Sequence, residues 1–255
     1  MSTLVFQIYD AFGDWISSNG MIRHLSKMYD EVYLIHDTPV VVPFTTDMFK
    51  DNPKIIPMEG EVVPGYECDV IDVRVNEIYP HPGNNGKYFN RVNKFGDEIF
   101  SANDNASNFY SSLGLDPKLR ISSFNYLRDL NKENAIFNSV NPPKDYSLIC
   151  EMDDGMIDRS YLKEEEVVNI HRLTDNFMHT LKLIESAKEV HLVENSIALF
   201  VYHMQSVGKM DRIPINFHVY SRKEPHRVCD GPDCDNPFLN MFKYPRLDNW
   251  NFIWK

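Results

Sequence analysis

The sequence predicts an α/β protein made of two parallel-sheet halves. Two observations carry this. Short apolar runs alternate with segments of helical periodicity from Leu4 to His36, and the alternation resumes from Tyr146 to Tyr220. Between the halves stands Asn141-Pro-Pro-Lys-Asp145, and paired prolines break any element that enters them. The expected organisation is a domain over 1–143, a second over 144–236, and a tail over 237–255.

In the first half, Leu4 to Tyr9 (LVFQIY) reads as a buried strand. The loop Asp10-Ala-Phe-Gly-Asp14 follows, and Trp15 to Tyr29 carries apolar residues at helical spacing. Glu31 to His36 (EVYLIH) is the next strand, completing a βαβ unit. Pro53 to Pro57 brackets a short strand, and Cys68 to Val73 is another. Tyr79 to Gly86 is a turn-rich loop, and Asn105 to Leu113 reads as a helix capped by Gly114.

In the second half, Tyr146 to Glu151 is a strand and Asp153-Asp-Gly155 a turn. Val167, Ile170, Leu173, Phe177, Leu181 and Ile184 are spaced by three or four, predicting one long helix over Glu164 to Ala187. Val190 to Val193 is a strand, Ser196 to Gln205 a helix, and Ile215 to Tyr220 a last strand. The aromatic tail reads as irregular, with Trp250 and Trp254 as packing residues.

Composition narrows the function. The chain has 255 residues, 43% hydrophobic and 25% charged, with a net charge of −11. Such an acidic surface repels nucleic-acid phosphates. No polybasic run suits a membrane surface, and no apolar stretch approaches the length of a membrane span. The opening lacks the basic leader of a signal peptide, so a cytoplasmic location is the expectation. Cys68 and Cys150 sit among apolar residues and read as buried free thiols. His226, Cys229 and Cys234 could begin a zinc site, but their spacing is loose and no fourth ligand is evident, so a polar loop is expected and no metal.

In open parallel sheets, ligands bind beyond the carboxyl ends of the strands. Three constellations fall there. Gly13 permits a sharp turn from strand to helix, and Asp14 stands at or near the helix start, as a cap or as a carboxylate in a cleft. Glu194, Asn195 and Ser196 lie where a strand enters a helix. There, free N–H groups suit a diphosphate and a carboxylate can accept from ribose hydroxyls; capping is the simpler alternative. The run Glu151 to Arg159 carries four carboxylates in a solvated turn. Arg159, and Arg222 after the last strand, are candidate phosphate clamps. The glycine fingerprints of dinucleotide and P-loop proteins are absent, as are the Gly-x-Ser-x-Gly elbow and an Asp-x-Asp motif.

The opening, FQIYDAFGDWISSNGMIRHL, resembles the start of GT-B glycosyltransferases related to heptosyltransferases. The segment FMHTLKLIESAKEVHLVENSIALFVYHM resembles their donor-binding domain, and similar stretches occur in glycosyltransferase-like proteins of bacteria and large algal viruses. The resemblance covers about the first 55 residues and Tyr146 to Tyr220. It departs from the family at Phe12, where a small residue is common, and in its short length. It implies two Rossmann-like domains facing across a cleft, with the tail crossing back to the first. It implies metal-independent, inverting transfer from a UDP- or GDP-linked sugar to a glycan acceptor, with no cofactor. Under it Asp14 is the catalytic base. Gly13, Arg159, His191, Glu194, Asn195, Ser196, Tyr220 and Arg222 hold the donor. Asp10, Trp15 and Asn19 face the acceptor. The alternatives are a nucleotide- or glycan-binding module without turnover, and a sugar-phosphate-processing enzyme.

Overall fold

The computed structural model describes residues 2–8, 11–60, 68–72, 110, 113–152, 156–219 and 247–254. Outside them lie Asp10, the 79–86 loop, most of 105–113, the 153–155 turn, Tyr220, Arg222, His226, Cys229 and Cys234. The chain divides into two compact units, Met1–Leu127 and Arg128–Lys255.

In the first unit the apolar runs become strands β1 (Thr3–Gln7), β2 (Glu31–His36), β3 (Ile55–Glu59) and β4 (Asp69–Asp72). They form one sheet in the order β3-β2-β1-β4, with every pairing parallel. The chain steps outward from β1 to β3 and then returns to the other side of β1. The order therefore reverses between β1 and β4, whose carboxyl ends are the topological switch point. Helix α1 (Phe12–Leu25) follows β1 and begins three residues earlier than expected. Helix α2 (Val41–Phe49) links β2 to β3, and a single turn, α3 (Leu119–Ser122), lies against α1.

Two contacts fix that last packing. A Cβ added at Gly20 would stand 2.1 Å from the Leu119 carbonyl oxygen, so glycine is what lets the backbones approach. The Tyr110 hydroxyl, fully buried, donates to the Ser17 carbonyl at 2.8 Å and accepts from the Met21 N–H at 3.0 Å. Gly114 has φ +68°, and the Leu115 N–H reaches back to the Tyr110 carbonyl at 2.9 Å, a Schellman closure that agrees with the predicted cap.

The second unit is built on β5 (Ser147–Cys150), β6 (Val167–Asn169), β7 (Glu189–Val193), β8 (Ile215–His218) and β9 (Trp250–Ile253). All pairings are parallel, in the order β6-β5-β7-β8-β9, and the switch point lies between β5 and β7. Its helices are α4 (Leu130–Val140), α5 (Leu181–Ser186) and α6 (Ser196–Ser206). Helix α6 is buried from Ile197 to Gln205, which is why its sequence is apolar on every side.

Three expectations about this unit are corrected. The predicted helix over Glu164 to Ala187 is instead β6, a turn, a 3-10 turn over Phe177–Thr180 and α5. The β-branched pair Val167 and Val168 joins the sheet edge beside β5, Arg172 reverses the chain at φ 60°, and Asn176 caps the 3-10 turn. The unit boundary falls at Leu127 rather than at Pro143. Pro142 and Pro143 do end a helix, with Asn141 as a left-handed C-cap, but that helix belongs to the second unit. The last strand, β9, pairs with β8, so this part of the tail is not irregular and completes the second sheet. Trp250 is buried against Tyr202 and Phe217, and its indole N–H donates to Gln205 Oε1 at 2.8 Å.

Cys68 and Cys150 are buried free thiols, in line with the sequence. Among the described residues no helix is long and apolar enough to cross a membrane, and no group of three or more His, Cys, Asp or Glu is placed to hold a metal ion.

Candidate functional site

In the first unit the site grows out of β1. The strand leads through Ile8 to Ala11, the extended N-cap of α1, which has no side chain to cap with. Gly13 and Asp14 then occupy the second and third helical positions. Asp14 is therefore inside the first turn and not the cap. Its own N–H bonds the Ala11 carbonyl at 3.0 Å. Its side chain is half-buried, and no described residue gives it a hydrogen bond or an ion pair. Loss of water around it pushes the carboxyl pKa up from 3.8 to about 6. A carboxylate of that affinity beside a parallel-sheet switch point is suited to accept a proton near neutral pH.

The aromatic residues on either side of Asp14 in the sequence pack into an apolar layer. Phe12 packs on Phe44 with ring centroids 4.7 Å apart, and Trp15 lies 4.4 Å from the His36 ring and 6.0 Å from Phe6. Trp15 is fully buried in this apolar layer, so it cannot present its ring to an acceptor. Asn19 is corrected likewise. Its amide donates to the Asn125 carbonyl at 3.1 Å and accepts from the Asn125 N–H and Arg23 Nε. Arg23 in turn grips Asp51 with both terminal nitrogens, at 3.0 and 2.7 Å. Asn19 holds α1 in place through these bonds.

In the second unit, Glu194, Asn195 and Ser196 stand at the carboxyl end of β7, at the switch point. Asn195 caps α6, its Oδ1 accepting the Ala198 N–H at 2.9 Å. Its Nδ2 donates to the Cys150 sulfur at 3.3 Å, which ties the end of β7 to the end of β5. Burial pushes the Cys150 thiol up to about 12, so the sulfur stays a neutral acceptor. The Ser196 and Ile197 N–H groups make no hydrogen bond to described residues and open the helix start to an anion. Glu194 is half-buried beside them.

Two predicted donor contacts are placed differently. Arg159 forms an ion pair with Glu151, whose other oxygen accepts the Ile157 N–H at 3.0 Å. Glu151 is buried rather than solvated, so Arg159 already neutralises a carboxylate. His191 lies inside β7, two residues short of its carboxyl end and 1% exposed, bonded to His218 at 2.8 Å. It faces the sheet interior and not a ligand. Sequence reasoning missed Cys150, Glu189 and His218 as polar partners. The alternation Glu189-Val-His191 was the available signal, since it puts two ionisable groups on one face of a buried strand.

Among solved structures, the chain is similar to that of a glycosyl transferase family 9 protein from Veillonella parvula DSM 2008. The two are 11% identical over 85% of this chain and 80% of that one, with a TM-score of 0.49. No family model matches the chain, and no curated protein matches it. A likeness of this size leaves function to be argued from the residues.

Proposed function

We propose that this protein is a metal-independent, inverting glycosyltransferase that uses Asp14 as its general base and a nucleotide-linked sugar as donor. The observation that supports it is Asp14 itself: a half-buried carboxylate at the switch point, without a cation among the described residues, held near the pKa a base needs. In this reading Asp14 takes the proton of an acceptor hydroxyl as that oxygen attacks the anomeric carbon. The bond to the nucleoside diphosphate breaks on the opposite face, which inverts the centre. The start of α6 receives the leaving diphosphate through the Ser196 and Ile197 N–H groups, and Glu194 accepts from the ribose hydroxyls. Gly13 keeps the backbone beside Asp14 free of a side chain. In this reading the protein works in the cytoplasm.

The test is incubation with UDP-, GDP- and CMP-sugars without added metal, reading donor hydrolysis or transfer. Asp14→Asn is expected to lower turnover by about 10²–10⁴-fold while nucleotide affinity changes little. Glu194→Ala is expected to weaken nucleotide binding by titration calorimetry. Unchanged turnover in Asp14→Asn removes the base from this mechanism. Tight nucleotide binding with no turnover assigns a binding module instead, and a requirement for manganese rules out this mechanism.

A further inference from the structure

The second sheet carries a polar chain that the proposed reaction does not use. Alternation along the strands places Ser147 and Ile149, Glu189, His191 and Val193, and Asn216 and His218 on one face. Ile149 and Val193 pack there with Ile157, Met156 and Leu162, so the connection from β5 to β6 covers this face.

Glu189 anchors that cover. Its Oε1 accepts from Ser147 Oγ at 2.5 Å and from the Lys163 N–H at 2.6 Å. Its Oε2 lies 3.3 Å from His191 Nε2, and His191 Nδ1 lies 2.8 Å from His218 Nε2. The imidazoles are 1% and 0% exposed, with ring centroids 5.1 Å apart. A bond between two imidazoles needs one N–H and one lone pair. Whichever ring donates, one of the two facing nitrogens, His191 Nδ1 or His218 Nε2, carries a hydrogen and the other a lone pair. The charged and titratable groups among the described residues that face the pair are Glu189 on β7, and Lys163 and Tyr161 on the cover. Tyr161 sets its ring 5.5 Å from His218, and the amide nitrogen Nδ2 of Asn216 on β8 lies 3.4 Å from His191 Nε2.

One added proton is compatible with this chain, because an imidazolium can still donate to a neutral partner and Glu189 balances its charge. A second proton is not. It puts hydrogens on both facing nitrogens and two cations side by side in the interior. We propose that Glu189, His191 and His218 form a one-proton lock that holds the 156–163 connection on the second sheet near neutral pH and releases it in acid. Burial holds the His191 pKa below its ordinary 6.5, Glu189 opposes that shift in part, and Lys163 adds to it. The direction agrees with the lock. A histidine depressed in the folded state contributes stability that is complete above 6.5 and lost as pH falls below it.

The experiment uses the full chain with ¹⁵N-labelled histidine. Imidazole shifts are followed from about pH 8 to about pH 4, together with hydrogen exchange over 156–163. The His191 and His218 rings are expected to titrate in two coupled steps. Exchange at Lys163 is expected to rise about tenfold or more at the second step. In His218→Gln, whose amide can still donate but does not titrate, that rise is expected to move at least about one pH unit lower. Independent titration of the two rings, or unchanged exchange over 156–163 through the acid range, overturns the proposal.

Discussion

The Asn195 amide nitrogen lies 3.3 Å from the sulfur of Cys150, so one side chain caps α6 and also joins the ends of β5 and β7. The two strands flank the switch point, and the contact sets the gap between their following loops.

The first prediction separates those two roles. Cys150→Ser keeps an acceptor for Asn195 and is expected to bind nucleotide within about twofold of the parent. Cys150→Ala removes the acceptor and strands the amide, at a cost of about 1 kcal/mol in nucleotide binding. Asn195→Ala loses the cap as well and is expected to lower stability by about 1 kcal/mol. Calorimetric titration and thermal melts check both. Equal binding in the Ser and Ala variants would show that the bridge does not shape the site.

The second concerns Asp14 and pH. Its pKa rises from 3.8 to about 6 on folding. Between those values the folded protein holds a proton that the unfolded chain has released. Stability therefore falls as pH rises through this window, and the cost is complete above about 6. Asp14→Asn is expected to stabilise the fold by roughly 1–3 kcal/mol at pH of about 7.5 and to change little near pH of about 3.5. Melting curves at the two pH values test the sign. Turnover by the parent is expected to rise with pH through about 6 as the base ionises.

Gly20→Ala is the third. Its Cβ meets the Leu119 carbonyl oxygen at 2.1 Å, and neither backbone can yield without moving α3. A loss of about 1–3 kcal/mol is expected, read by urea unfolding. Helix propensity alone predicts the opposite sign, a gain of about 1 kcal/mol, so the measurement distinguishes packing from propensity.

The fourth tests a part-buried charge cluster. Arg128 bonds Glu133 at 2.9 and 2.5 Å and Glu185 at 2.8 and 2.7 Å. Glu133 is 1% exposed. Arg128→Met leaves that carboxylate without its counter-ion and is expected to cost about 3–5 kcal/mol. Adding Glu133→Gln recovers part of the loss, because the stranded charge is gone. Urea midpoints for the single and double variants check the order.

What the sequence determined by itself is the central strands of both sheets and the strand ends where a ligand is expected. Leu4 to Phe6 and Val32 to Ile35 carry apolar side chains on both faces, and a sheet covered on both sides accommodates that. A strand running into Gly13-Asp14, and another into Glu194-Asn195-Ser196, marked the carboxyl ends where parallel sheets bind ligands. Tertiary structure decided the rest. The apolar spacing over Glu164 to Ala187 fits a helix, but the edge of β5 was free to recruit Val167 and Val168, and a local period carries no record of that edge. Trp250 to Ile253 became a strand because β8 offered it a partner. Asp14 was visible as a carboxylate at a helix start, whereas its proton affinity comes from its burial in the fold. Hydrophobic period is a property of neighbours in sequence; desolvation and strand pairing are properties of neighbours in space.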